Sequence, residues 1–119
     1  MKEFNTYQNV MLKFMNPASM ETQSDILSNA VLGLAGEAGE VADLLKKYKH
    51  HGHDFNKEKF CKELGDLLFY VSLAAHGVGV SLEEVAVQNY NKLSLRYPNG
   101  FSVEDSKAKK DENNNSTQT

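Results

Sequence analysis

Pro17 and Pro98 are the only prolines in 119 residues, and they leave about 80 consecutive residues free of the strongest helix breaker. That interval carries apolar residues at three- and four-residue spacing and no convincing strand alternation, so the chain is expected to be all-α. Tyr7, Val10, Met11 and Phe14 predict a first helix over about Asn5–Met15, closed by Pro17. Leu27, Val31, Leu34, Val41, Leu45 and Tyr48, with Ala38 filling a gap, predict a long second helix over about Ser24–Lys49. The run His50-His51-Gly52-His53-Asp54 breaks this pattern and reads as a loop. A third helix over about Lys57–Ala75 turns Phe60, Leu64, Leu67, Leu68 and Val71 inward, and Gly77 and Gly79 end it. Ser81 and Glu84 form a capping-box pattern that opens a fourth helix reaching about Arg96, before a turn at Pro98-Asn99-Gly100. Residues 1–103 form one expected domain, an antiparallel bundle of about four helices. Residues 104–119 are polar, with Ala108 as their one apolar residue, and are expected to form a disordered, dispensable tail.

Two acidic pairs carry the chemistry. Glu37 and Glu40 share one face of the second helix, and Glu63 and Asp66 share one face of the third. If the two helices fold back through the His50–Asp54 loop, Glu40 with Glu63, and Glu37 with Asp66, lie equidistant from a centre at residues 51–52. Four carboxylates then meet at one level beside apolar stripes, where their mutual repulsion demands compensation. A hard divalent cation with oxygen ligands, Mg²⁺ or Mn²⁺, supplies it. A single acidic pair at this spacing is ordinarily a solvated helix face; two pairs in mirror register favour a metal site.

Gly33, Gly36 and Gly39 surround the first acidic pair, and each glycine costs a helix roughly 0.5–1 kcal/mol relative to alanine. They imply space kept for a close helix or for a ligand. Asn89, Lys92 and Arg96 fall on one stripe of the fourth helix, a set suited to phosphate oxygens, although Lys and Arg at that spacing are usually surface decoration. Lys46, Lys47 and Lys49 oppose the C-terminal dipole of the second helix. His50, His51 and His53 lack helical ligand spacing and read as exposed loop residues, and Cys61 reads as core. Tyr70, one turn beyond Asp66, is a candidate stacking residue, but an aromatic on the third helix is more often core.

The segments GLAGEAGEVADLLKK (33–47), KELGDLLFY (62–70) and NYNKLSLRYPNGF (89–101) resemble the MazG-like nucleotide pyrophosphohydrolases of the all-α NTP pyrophosphatase superfamily. The resemblance spans roughly residues 24–103. It implies Mg²⁺-dependent hydrolysis of nucleoside triphosphates to a monophosphate and pyrophosphate, in nucleotide-pool control or house-cleaning. It also implies that Glu37, Glu40, Glu63 and Asp66 are the metal ligands and the catalytic carboxylates. Asn89 and Lys92 correspond to the family's phosphate- and nucleotide-contacting residues, with Arg96 a third. Many members carry two adjacent acids where this chain has Gly36 before Glu37. A non-catalytic metal- or nucleotide-binding helical dimer with a regulatory role is therefore the alternative. The family's dimers and dimers of dimers imply a homodimer or tetramer here, and Ile26, Leu32 and Leu44 give the second helix the extra apolar faces that assembly would cover.

A net charge of −3 gives no broad basic surface for nucleic acid. One cysteine excludes an intramolecular disulfide framework and suits a reducing, cytoplasmic compartment. No apolar run approaches the ~20 residues of a membrane span, and the N-terminus has no secretory apolar stretch.

Overall fold

The computed structural model describes residues 3–112. These form five α-helices: α1 (Phe4–Met11), α2 (Gln23–His50), α3 (Lys57–Gly77), α4 (Leu82–Arg96) and α5 (Val103–Ala108). No strand occurs among the described residues, so the all-α expectation holds. The chain divides into two compact units, residues 1–82 and 83–119.

The first unit is built on the α2–α3 hairpin. Thr22 caps α2 by accepting from the Asp25 N–H at 3.0 Å, and Asn56 caps α3 by accepting from the Lys59 N–H at 3.0 Å. Lys47, Lys49 and His50 stand in the last turn of α2, where cations are favoured. The connection turns on Gly52, whose φ of 73° suits a residue without Cβ. Edge-on and tilted aromatic contacts secure it, with Tyr48–Phe55 centroids 5.6 Å apart and Phe55–Phe60 centroids 5.3 Å apart. The expected register is observed: Ile26 faces Gly77 and Gly33 faces Tyr70, each pair equidistant from the turn.

The core lies at the end of the hairpin remote from this turn. Met15, Ala30 and Leu73 are buried, with Leu12, Met20, Ile26, Phe69, Tyr70 and Ala74 packed against them. α1 is pinned across this end by Gln8, which is only 7% exposed. Its amide donates to the carbonyls of Ser72 and Val80 at 3.3 and 3.2 Å and accepts from the Leu82 N–H at 3.0 Å. Gln23 adds a bond to the Gly77 carbonyl at 3.0 Å.

Several expectations are corrected. α1 stops at Met11, and the residues expected to continue it, Leu12–Phe14, form a tighter 3₁₀ turn. Leu64 and Leu68, expected to face inward, are exposed, as are Val31, Leu45 and Tyr48. Two long helices and one short one can cover only part of the apolar circumference, so burial concentrates where α1 docks. Cys61 is exposed rather than in the core, whereas the loop histidines are exposed as expected.

The second unit holds α4 and α5, joined by a turn at Pro98-Asn99-Gly100 in which Gly100 adopts φ 86° and donates to the Tyr97 carbonyl at 3.1 Å. The expectation of disorder from residue 104 onward does not hold for residues 104–112. Ser102 caps α5 by accepting from the Asp105 N–H at 3.0 Å, and Asp111, 3% exposed, forms a bidentate pair with Arg96 at 2.6 and 3.1 Å. Charge-assisted bonds and a cap order this segment without apolar burial. Residues 113–119, the rest of the expected tail, lie outside the described residues.

Candidate metal centre

The hairpin register brings Glu37 of α2 beside Glu63 and Asp66 of α3. One carboxylate oxygen from each lies within 4.8 Å of the others. Glu37 and Glu63 are half-buried and Asp66 is exposed. The Oε2 atom of Glu37 is sealed from solvent and accepts no hydrogen bond. Such an atom is costly unless a proton or a cation meets it. A proton shared with Glu63 raises the Glu37 pKa to about 7, helped by burial and by the charges of Asp66, Glu63 and Glu40, in that order. The group is thus an acidic cluster whose repulsion is unrelieved, with the oxygen donors that a hard divalent cation requires.

Glu40, the fourth acid of the expected set, is exposed and stands outside this trio, reaching Glu37 only through its charge. The three glycines separate by role. A Cβ at Gly33 would overlap the Tyr70 ring, so this glycine permits close helix contact. A Cβ at Gly36 or Gly39 would meet nothing within 4 Å. Tyr70 is packed against Phe69, with ring centroids 5.0 Å apart.

Asn89 and Lys92 belong to the second unit, where with Val85 and Gln88 they line a surface cleft of about 430 Å³. Arg96 is engaged by Asp111 and, at 3.4 Å, by Glu112, which together hold its guanidinium above its ordinary pKa. Asp111 is held below the usual carboxylate range, chiefly by Arg96, with Lys92 contributing. Lys47 and Lys46 pair with Asp43 at 2.8 and 3.4 Å, beyond the dipole role read from their positions.

Sequence reasoning missed Tyr7. Burial and the neighbouring Asp66 charge raise its pKa, which places an α1 phenol next to the acidic cluster. Its spacing signalled only an amphipathic helix. The deep placement of Asp111 had no sequence signal beyond being one acid in a charged run.

An all-helical hairpin that gathers carboxylates from two facing helices defines a class of acidic, metal-competent helical domain. The MazG nucleotide pyrophosphohydrolase domain matches residues 27–101, more than half of the chain. The Gene 37 protein of Mycobacterium phage L5 is 37% identical over 78 residues, covering 62% of this chain and 68% of that protein. No solved structure matches. The chain belongs to the MazG nucleotide pyrophosphohydrolase family, a membership that supports a nucleotide pyrophosphohydrolase enzyme. Among the described residues no single helix is long and apolar enough to cross a membrane.

Proposed function

We propose that this protein hydrolyses nucleoside triphosphates to nucleoside monophosphate and pyrophosphate, with Mg²⁺ or Mn²⁺ held by Glu37, Glu63 and Asp66. The observation that carries this reading is the sealed, unpartnered Glu37 oxygen facing two further carboxylates. A bound divalent cation supplies charge neutralisation at phosphate oxygens. Glu37, Glu63 and Asp66 would hold that cation as three anionic ligands, for which Glu37 would have to give up the proton that its neighbours favour near neutral pH. Glu40, one turn along α2, would add its charge to the set. Lys92 and Asn89 bind phosphate oxygens, and Arg96 joins them only when its pair with Asp111 opens.

A homodimer, or a tetramer built from it, is part of the proposal. Val31, Leu32, Leu45, Leu64 and Leu68 on the hairpin are 41–70% exposed in the single chain, an apolar surface suited to a second copy. The competing reading, a non-catalytic metal- or nucleotide-binding dimer, is favoured by Gly36, which leaves an open position where many family members carry an acid.

Pyrophosphate release across ribo- and deoxynucleoside triphosphates with Mg²⁺ tests the reaction. Release is expected from the wild type and mostly lost in Glu63→Gln, together with Mg²⁺ affinity measured by calorimetry. Retained Mg²⁺ and nucleotide binding without release from any triphosphate supports the non-catalytic reading. Wild-type Mg²⁺ affinity in Glu63→Gln overturns the site.

A further inference from the structure

A second feature of the first unit lies against the acidic cluster. Tyr7, Met11 and Phe14 from α1 and its 3₁₀ extension, with Gly65, Asp66 and Phe69 of α3, line an open surface cavity of about 330 Å³. That volume is at the lower end of the roughly 300–1,000 Å³ typical of small-molecule sites. Asp66 lines the cavity and also belongs to the carboxylate trio, so the two features share a wall. The remaining lining is three aromatic rings, a polarisable thioether and a glycine without a side chain.

We propose that this cavity receives the planar base of the nucleotide, with Phe14 and Phe69 as stacking surfaces and Tyr7 as a polar contact that helps set base preference. The proposal rests on the triphosphate reading above and extends it to substrate selection. Several features favour a flat heteroaromatic ring over an aliphatic occupant. Aromatic faces stack on any base, and the Met11 sulfur adapts to ring edges. The Tyr7 hydroxyl can donate to a base carbonyl or accept from an exocyclic amine. Phe14 lines the cavity while 69% exposed, an aromatic displayed to solvent. A Cβ at Gly65 would meet nothing within 4 Å, so this wall is left open rather than packed. Tyr7, Met11 and Phe14 lie outside the family match at residues 27–101.

The test uses the full chain and two variants that alter the cavity in opposite ways, Phe14→Ala and Gly65→Leu. KM and kcat are measured for triphosphates of each base, and calorimetry measures binding of those nucleotides and of inorganic tripolyphosphate with Mg²⁺. Removing a stacking ring is expected to raise KM and weaken nucleotide binding about tenfold. Gly65→Leu is expected to do the same by filling the space. Neither variant should change tripolyphosphate binding, and the ranking of bases should change in both. Wild-type KM and base ranking in both variants, with the parent active, overturn the base site alone. Equal losses for nucleotide and tripolyphosphate also overturn it, because they mark a general structural role. Conversion of Phe14→Ala to a folded monomer overturns it as well, since a second copy then covers the cavity. Absence of nucleotide binding in the wild type overturns both readings. Base-dependent binding without hydrolysis, sensitive to Phe14, supports the cavity and removes the reaction.

Discussion

Between Ala30 and Gly33 on α2, and Tyr70 and Leu73 on α3, the hairpin is packed so closely that one helix has no room for a Cβ. One turn nearer the connection, the same helices in the same register hold Glu37, Glu63 and Asp66, and Gly36 and Gly39 face open space. α1 accounts for much of the difference. It docks over the first stretch through Gln8, and the residues that follow it, Leu12 and Met15, join the core there, whereas at the second stretch it brings only the rim of an open pocket, with Tyr7 beside Asp66. A hairpin can therefore be stabilised at one end while its other end carries repulsion that only a proton or a cation relieves. The acidic cluster is placed where packing is not needed to hold the fold.

Three substitutions probe that contrast. The largest effect is expected from Gly33→Ala, whose methyl group overlaps the Tyr70 ring and must displace it from the core. A loss of about 1–3 kcal/mol in chemical denaturation is expected, as for overpacking elsewhere. A neutral result would show that the packed stretch is as yielding as the acidic one.

Glu37→Gln probes the acidic stretch and should act with the opposite sign. The Glu37 pKa of about 7 exceeds its ordinary value of 4.5, so the folded protein holds a proton that the unfolded chain releases. In the metal-free protein its contribution is fully present below the ordinary value and is lost as pH rises through about 7. Melts in chelator should show wild-type stability declining across this interval relative to Glu37→Gln, with the variant more stable at the alkaline end. Excess Mg²⁺ should reverse that ranking, because only the wild type gains a full ligand set. Parallel pH profiles would remove the repulsion from the account.

Gly36→Ala should have the smallest effect. With nothing for the new methyl group to meet, it removes only the backbone freedom of glycine, and a gain of about 0.5–1 kcal/mol is expected. The two glycines, three positions apart, thus predict opposite signs, read from the same denaturation curves.

The mirror placement of Glu37 with Asp66 and Glu40 with Glu63 made the hairpin register legible, because helix period and an obvious turn fix which residues share a level. The trio follows from it, whereas the outward position of Glu40 depends on helix rotation that spacing alone leaves open. Burial was harder to read. Leu64 and Leu68 carry the same apolar signal as Leu73, and only the reach of α1 decides which of them is covered. Glycine spacing announced a need for room but not that Gly33 faces a ring while Gly36 faces nothing. The order in residues 104–112 rests on a cap and an Arg–Asp fork, neither of which leaves a hydrophobic pattern.

The three hydrogen bonds of Gln8 join residues 64, 72 and 74 positions apart, whereas the α2–α3 hairpin closes through a short loop. Long closures cost more chain entropy and are made late, so the hairpin is expected to assemble first and α1 to dock afterwards. The last contact made is commonly among the first released, and one amide side chain serves as the latch. α1 also supplies Tyr7, Met11 and the approach to Phe14, half of the cavity wall. Undocking of this one short helix would dismantle half of that pocket while leaving the carboxylates of the hairpin in register, so base contact and metal binding rest on parts of the fold that are held by different bonds.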